Sequence, residues 1–150
     1  MIRRLALGAL LVWAASPAPA HEALETLKPL LEVYKPENNP PEFDVAGIRC
    51  AGLFIAQNDW ADHHGGAGRP TRAQLQDVED NLTAAEQQRR NEGLDIVAAQ
   101  DSIRVDVLRV YELYKARFAQ APADLSPPWQ GDKLIRDDTF YCEILNGRRP

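Results

Sequence analysis

Two cysteines, Cys50 and Cys142, constrain this chain more than any other feature, because they stand far apart in its 150 residues. If they pair, only folds that bring the segment around 50 against the last segment are allowed, with Cα atoms within about 7 Å. The loop closed would be roughly 90 residues long, worth at most about 4–5 kcal/mol by chain entropy. Pairing depends on the compartment, and the N-terminus speaks to that. Arg3 and Arg4 form a basic start, Leu5 to Ala15 an apolar run, and Ala18-Pro19-Ala20 a small-x-small cleavage signal. This order of parts is that of a secretory leader. The apolar run is too short to span a bilayer, which needs roughly 20 residues. Cleavage after Ser16 or Ala18 would leave a proline first, so the expected cut follows Ala20 and makes His21 the first mature residue. An exported chain with an even cysteine count is expected to hold a structural disulfide. In a Gram-negative cell the expected location is the periplasm. No C-x-x-C or C-x-x-C-H occurs, which argues against thiol exchange chemistry and c-type haem.

Removing residues 1–20 leaves 130, expected to form one domain with one core. Taking Arg3 and Arg4 from 17 basic residues leaves 15 against 22 acidic ones, so the net charge moves from −5 to −7. Nucleic-acid binding rests on a positive footprint, which this balance does not offer. No second apolar run approaches spanning length, so no transmembrane anchor is expected after cleavage.

The apolar pattern is helical throughout. Leu24, Leu27, Leu31 and Tyr34 form one stripe over 23–35, with Pro29 as a kink or a first-turn residue. Phe43 to about Asp62 is apolar on several sides, with Asp44 as its expected cap, and reads as the most buried helix. Gly47, Ala51 and Gly52 around Cys50 would let a second helix come close. A strand over 53–56 would have no partner. Thr71 and Gln74 form a T-x-x-Q capping box before a helix carrying Leu75, Val78, Leu82 and Ala85, ending at Gly93. Leu94 to Phe118 is the clearest helix, with Ile103, Val107, Val110, Tyr114 and Phe118 on one face. Leu94, Val97, Leu108 and Tyr111 are expected to widen that face, and Asp101–Arg104, Asp106–Arg109 and Glu112–Lys115 to pair on the outside. Ala121 to Gly131 is a Pro-rich loop, with Trp129 expected as a lid over the core. Asp132 caps a last helix carrying Leu134, Ile135, Tyr141, Cys142 and Leu145, stopped by Asn146-Gly147. The expected fold is an all-α bundle of about four to five helices, stapled by Cys50–Cys142.

Motifs for chemistry are sparse. His21, His63 and His64 are the only histidines. A terminal His21 would offer an α-amine and an imidazole, and His63 or His64 a further imidazole, a set suited to copper or zinc. The plainer account of His63-His64 is a solvated Gly-rich loop. His21-Glu22-x-x-Glu25 lacks the second histidine of H-E-x-x-H. Ser102 and Ser126, the two serines of the mature chain, sit in no nucleophile motif. The pairs Asp137-Asp138, Asp59/Asp62 and Glu79/Asp80 would be needed for an enzyme acting on envelope glycans. With 22 acidic residues such adjacency is expected by chance, and a solvated face is the plainer account. Gly65-Gly66-Ala67-Gly68-Arg69-Pro70-Thr71 lacks the G-K-[ST] ending of a phosphate loop, though a helix start beside Arg69 would suit an anion.

Arg49-Cys50-Ala51-Gly52-Leu53, with the late Tyr141-Cys142-Glu143, resembles small secreted all-helical proteins of proteobacteria to which no activity is attached. The chain is also similar, in its cysteine architecture alone, to the acid-stress chaperones of the periplasm. That likeness implies a binding role over an enzymatic one. The leading expectation is therefore a non-enzymatic helical protein that binds a protein or an envelope component.

Overall fold

The structure, a computed structural model, describes Leu30 and residues 43–147. The leader with its cleavage site, His21 and the helix expected over 23–35, apart from Leu30, lie outside the described residues. Four helices follow in order: α1, Phe43–His63; α2, Arg72–Asn91; α3, Ile96–Phe118; and α4, Lys133–Leu145, preceded by a 3-10 turn at Pro128–Gly131. No strand occurs among the described residues, so the all-α expectation holds.

Helix α1 lies at the centre, against α2, α3 and α4, while α2 and α3 meet each other over a shorter stretch. Its sequence explains this placement. From Val45 to Asn58 the only charged residue is Arg49, and a helix apolar on all sides must be buried on all sides. Ile48, Cys50, Leu53 and Phe54 are fully buried there. Two glycines set how close the neighbours come. A Cβ on Gly52 would stand 2.6 Å from Val110 Cγ1 and 3.2 Å from the backbone nitrogen of Tyr111, so α3 crosses α1 at this point. Gly47 faces Asn81 of α2 with ordinary contact distances. Gly52 and Gly47 thus admit α3 and α2, the close approach of another helix expected from the small residues around Cys50. The disulfide itself is present, joining α1 to α4 with Cα atoms 5.6 Å apart.

The helix ends follow the sequence signals, with one exception. The Thr71 hydroxyl accepts from the Gln74 N–H at 3.2 Å, and the Gln74 side chain accepts from the Thr71 N–H at 2.8 Å, a complete capping box. Gly93, at φ +105°, closes α2. Asp95 caps α3 and Asp132 caps α4. Asp44 is the exception: α1 already includes Phe43, so Asp44 lies in the first turn and its carboxylate serves a buried ion cluster. Trp129 covers one end of the core, edge-on to Trp60 at 5.2 Å and tilted on Phe118 at 4.9 Å. Its position matches the lid expected from the sequence.

Candidate functional site

Four arrangements carry chemistry or a free surface: two buried ion clusters, an aromatic-histidine recess and an apolar groove.

The deepest cluster joins α1, α3 and α4. Arg49 and Asp138 are buried and paired at 2.7 Å. The Tyr114 hydroxyl donates to the same Asp138 oxygen at 2.6 Å and accepts from Arg49 Nε at 3.2 Å. The other Asp138 oxygen accepts the Leu30 N–H at 2.9 Å. Burial pushes the Tyr114 phenol far up, so it keeps its proton and acts as a donor. Burial pulls the Arg49 guanidinium down, and Tyr114 and Asp138 outweigh that, leaving it above its ordinary value. None of the three lines the groove or the recess described below. A closed, saturated carboxylate orders the core and has no access to a substrate.

The second cluster joins α1, α2 and α3. Arg89 binds Asp44 at 3.2 Å, Asp106 at 2.7 Å and the Ser102 hydroxyl at 2.7 Å. Asp106 is buried, which corrects the expected outward Asp106–Arg109 pair: α3 turns Asp106 toward α2, where Arg89 neutralises it. Asp101–Arg104 is an exposed pair at 3.1 Å as expected. Lys115 lies 3.9 Å from Asp59 and over the Tyr111 ring at 4.7 Å.

The expected metal residues divide between described and undescribed parts. His63 ends α1 and His64 follows it, and each Nδ1 lies 2.7 Å from the carbonyl four residues earlier, on Asp59 and Trp60. A carbonyl only accepts, so each Nδ1 is the donor in these bonds. His64 also stacks flat on Trp60 at 4.0 Å. Both histidines, with Trp60, Lys115 and Phe118, line a recess of about 420 Å³. Among the described residues no three His, Cys, Asp or Glu side chains are grouped to hold a metal ion.

The carboxylate pairs do not converge on a common space. Asp138 points inward, while Asp137 is on the surface with Lys133. Asp59 accepts from Tyr111 at 2.9 Å, and Asp62 pairs with Arg69 at 2.6 Å. Glu79 and Asp80 share the Gln76 amide on an exposed face. The Gly-rich loop is similarly occupied: Arg69 is held by Asp62 and Asn58, and the Thr71 N–H by Gln74.

The groove follows from the helix geometry. Since α2 and α3 diverge from their common contact with α1, a furrow of about 630 Å³ opens between them. Its floor is Leu82, Ile103, Val107, Leu108 and Tyr111. Gln100 of α3 donates to Glu86 of α2 across its rim at 3.0 Å. Leu94, Val97 and Leu108 do not widen the buried face, as the sequence had suggested; they are exposed, because α1 occupies only the Ile103–Val110–Tyr114 side of α3. Sequence reasoning missed Arg49, Arg89, Tyr114 and Asp138 as partners. The available signal was a lone charge within an apolar stripe: Arg49 in α1, and Asp138 among Ile135, Tyr141 and Cys142 in α4. No helix of the described residues is long and apolar enough to cross a membrane. No protein-family model, curated protein or solved structure matches the chain.

Proposed function

We propose that the protein is a non-enzymatic helical module of the cell envelope, whose groove between α2 and α3 takes an apolar helix of a protein partner. The groove carries this reading. Five apolar or aromatic side chains line it, of which Leu108 is 56% exposed, and Val97, eleven residues earlier on the same helix, is 64% exposed. Exposed apolar side chains gathered along one furrow mark a docking surface more than scattered ones do. Helices that lie in such furrows are held by apolar anchors at i, i+3 and i+4. The Cys50–Cys142 bridge and the two ion clusters would hold all four helices as a rigid frame for the furrow, so binding would cost little ordering. The test is site-specific photo-crosslinking in the native envelope, with the reactive side chain at Leu108 or, as control, at Arg109. A single adduct from position 108 only, lost when Leu82 is replaced by Glu, is the expected result. Equal adducts from both positions, or none from 108, would remove the groove reading.

A second reading, copper or zinc binding by His21 with His63 or His64, is supported by the two Nδ1–carbonyl bonds, since metal-bound histidines generally donate their other N–H to a carbonyl or carboxylate. Titration of the chain starting at His21 with Cu(II), beside a chain with one extra N-terminal alanine, tests it. Equal affinities would exclude the N-terminal chelate. An enzyme acting on envelope glycans has no converging carboxylates among the described residues to support it.

A further inference from the structure

We infer that the exposed face of α3 bordering this groove pairs with α3 of a second copy, antiparallel to the first; Arg104 and Leu108 of that face line the groove, and Val97 and Asp101 continue it toward the start of α3. The inference rests on reading the α2–α3 face as a docking surface, and it names the occupant. Val97, Asp101, Arg104 and Leu108 follow one another at spacings of four, three and four, the repeat of a coiled-coil seam. All four stand out from the fold: Val97 and Leu108 as given above, with side chains of Asp101 63% and Arg104 79% exposed.

The order of these four residues is palindromic in chemistry. Read forward or backward it is apolar, charged, oppositely charged, apolar. A two-fold axis midway between Ser102 and Ile103 therefore sets Val97 against Leu108 of the second copy, and Asp101 against its Arg104. The same axis makes both reciprocal pairs, which is the property an isologous interface requires. One step outward it sets Leu94 against Tyr111. A parallel pairing in register would instead set Asp101 against Asp101 and Arg104 against Arg104, so charge selects the antiparallel arrangement. The Asp101–Arg104 pair within each helix, 3.1 Å apart, would become an alternating four-membered cluster across the axis.

From 97 to 108 the helix rises only about 16 Å at 1.5 Å per residue. Even with the α2 wall added, so short a seam buries less than the roughly 800 Å² per partner of standard interfaces. The dimer is accordingly weak and reversible, with a dissociation constant on the order of micromolar.

Sedimentation velocity on the purified oxidised chain, across a concentration series, tests this. A reversible monomer–dimer equilibrium is expected. Asp101→Arg makes all four seam charges positive and Arg104→Asp makes them all negative, so each variant alone should dimerise roughly tenfold more weakly or worse. An equimolar mixture of the two restores both opposite pairs and should form a heterodimer of parental affinity. Both substitutions are on exposed side chains, so both variants should keep the parental circular dichroism spectrum. A parent that stays monomeric at all concentrations overturns the inference, as does a dimer indifferent to either charge reversal. If the parent is monomeric while Leu108 crosslinks to a different protein, only the second-copy assignment falls. If Leu108 crosslinks to nothing, the groove reading falls with it.

Discussion

Replacing Asp138 by Ala should be among the most damaging single substitutions in the protein, and its cost can be worked from the bonds lost. Asp138 takes the Arg49 guanidinium at 2.7 Å and the Tyr114 hydroxyl at 2.6 Å on one oxygen, and the Leu30 N–H at 2.9 Å on the other. All of these bonds are buried. With the carboxylate gone, Arg49 is a buried cation whose nearest remaining partner is a neutral phenol. One of its nitrogens, Nη1, already has no partner. Removing one member of a buried ion pair costs about 3–5 kcal/mol, chiefly because the other charge stays behind. Domains of this size are stable by about 5–15 kcal/mol, so roughly a fifth or more of the margin is at stake. Urea unfolding followed by circular dichroism measures the loss. The double variant Arg49→Met/Asp138→Leu removes both charges at similar volume and should lie closer to the parent than Asp138→Ala does. An Asp138→Ala protein within about 1 kcal/mol of the parent would refute the reasoning, since Arg49 would then have found water or another partner and the core would not be closed. A double variant as unstable as the single would refute it differently, by showing that lost packing rather than stranded charge sets the cost.

Other expectations follow from the same geometry. Reducing Cys50–Cys142, which closes a loop across 92 residues, should remove up to about 4–5 kcal/mol, read as a lower melting temperature in reductant; the oxidised chain should be lighter than the reduced one by two hydrogens in mass spectrometry. Gly52→Ala should destabilise by about 1–3 kcal/mol through its clash with Val110 and the Tyr111 backbone, while Gly47→Ala, with room against Asn81, should be neutral or stabilise by up to about 1 kcal/mol; paired urea titrations separate the two. Partial burial pushes the Asp132 carboxyl up, but the Arg117 guanidinium and two backbone N–H groups more than offset this and hold it below its ordinary value. Its folded-state pKa is depressed, so it stabilises the fold above the unfolded value and ceases to as pH falls through the folded one. Asp132→Asn should therefore be less stable than the parent at neutral pH, with the gap closing below about pH 4 in unfolding curves taken against pH.

Helices, caps and the disulfide were legible because each rests on residues near one another in sequence or on a count. Thr71 and Gln74 need only three residues of spacing, Gly93 only the end of a stripe, and Cys50 has only Cys142 to pair with. The ion clusters rest on something else. Asp106 and Arg109 satisfy the i, i+3 rule, and so do Asp101 and Arg104, yet only the second pair forms on the surface. The difference lies in where α1 and α2 sit, since α3 turns Asp106 to Arg89 and away from Arg109. Spacing within one helix says which side chains share a face. It does not say whether that face meets water or another helix.

The same limit explains why the groove was misread, and shows what the misreading is worth. Apolar residues at 94, 97 and 108 were assigned to a broadened buried face because burial is the default for a helix with so many of them. In the fold, Gly52 brings α1 so near to Val110 that α3 is covered on one side only, and Val97 and Leu108 are left outside. A sequence under no demand to bind would tend to carry charge there, as it does at Glu112 and Arg109 on the neighbouring face. Val105, Phe140 and Ile144 are exposed as well, but Val97 and Leu108 alone among these flank a charge pair of alternating sign at seam spacing, which folding of the single chain does not explain. If Val97→Glu and Leu108→Glu leave the unfolding curve unchanged while abolishing both the crosslink and the dimer, those residues are kept for association. If they destabilise the monomer instead, the groove belongs to the fold.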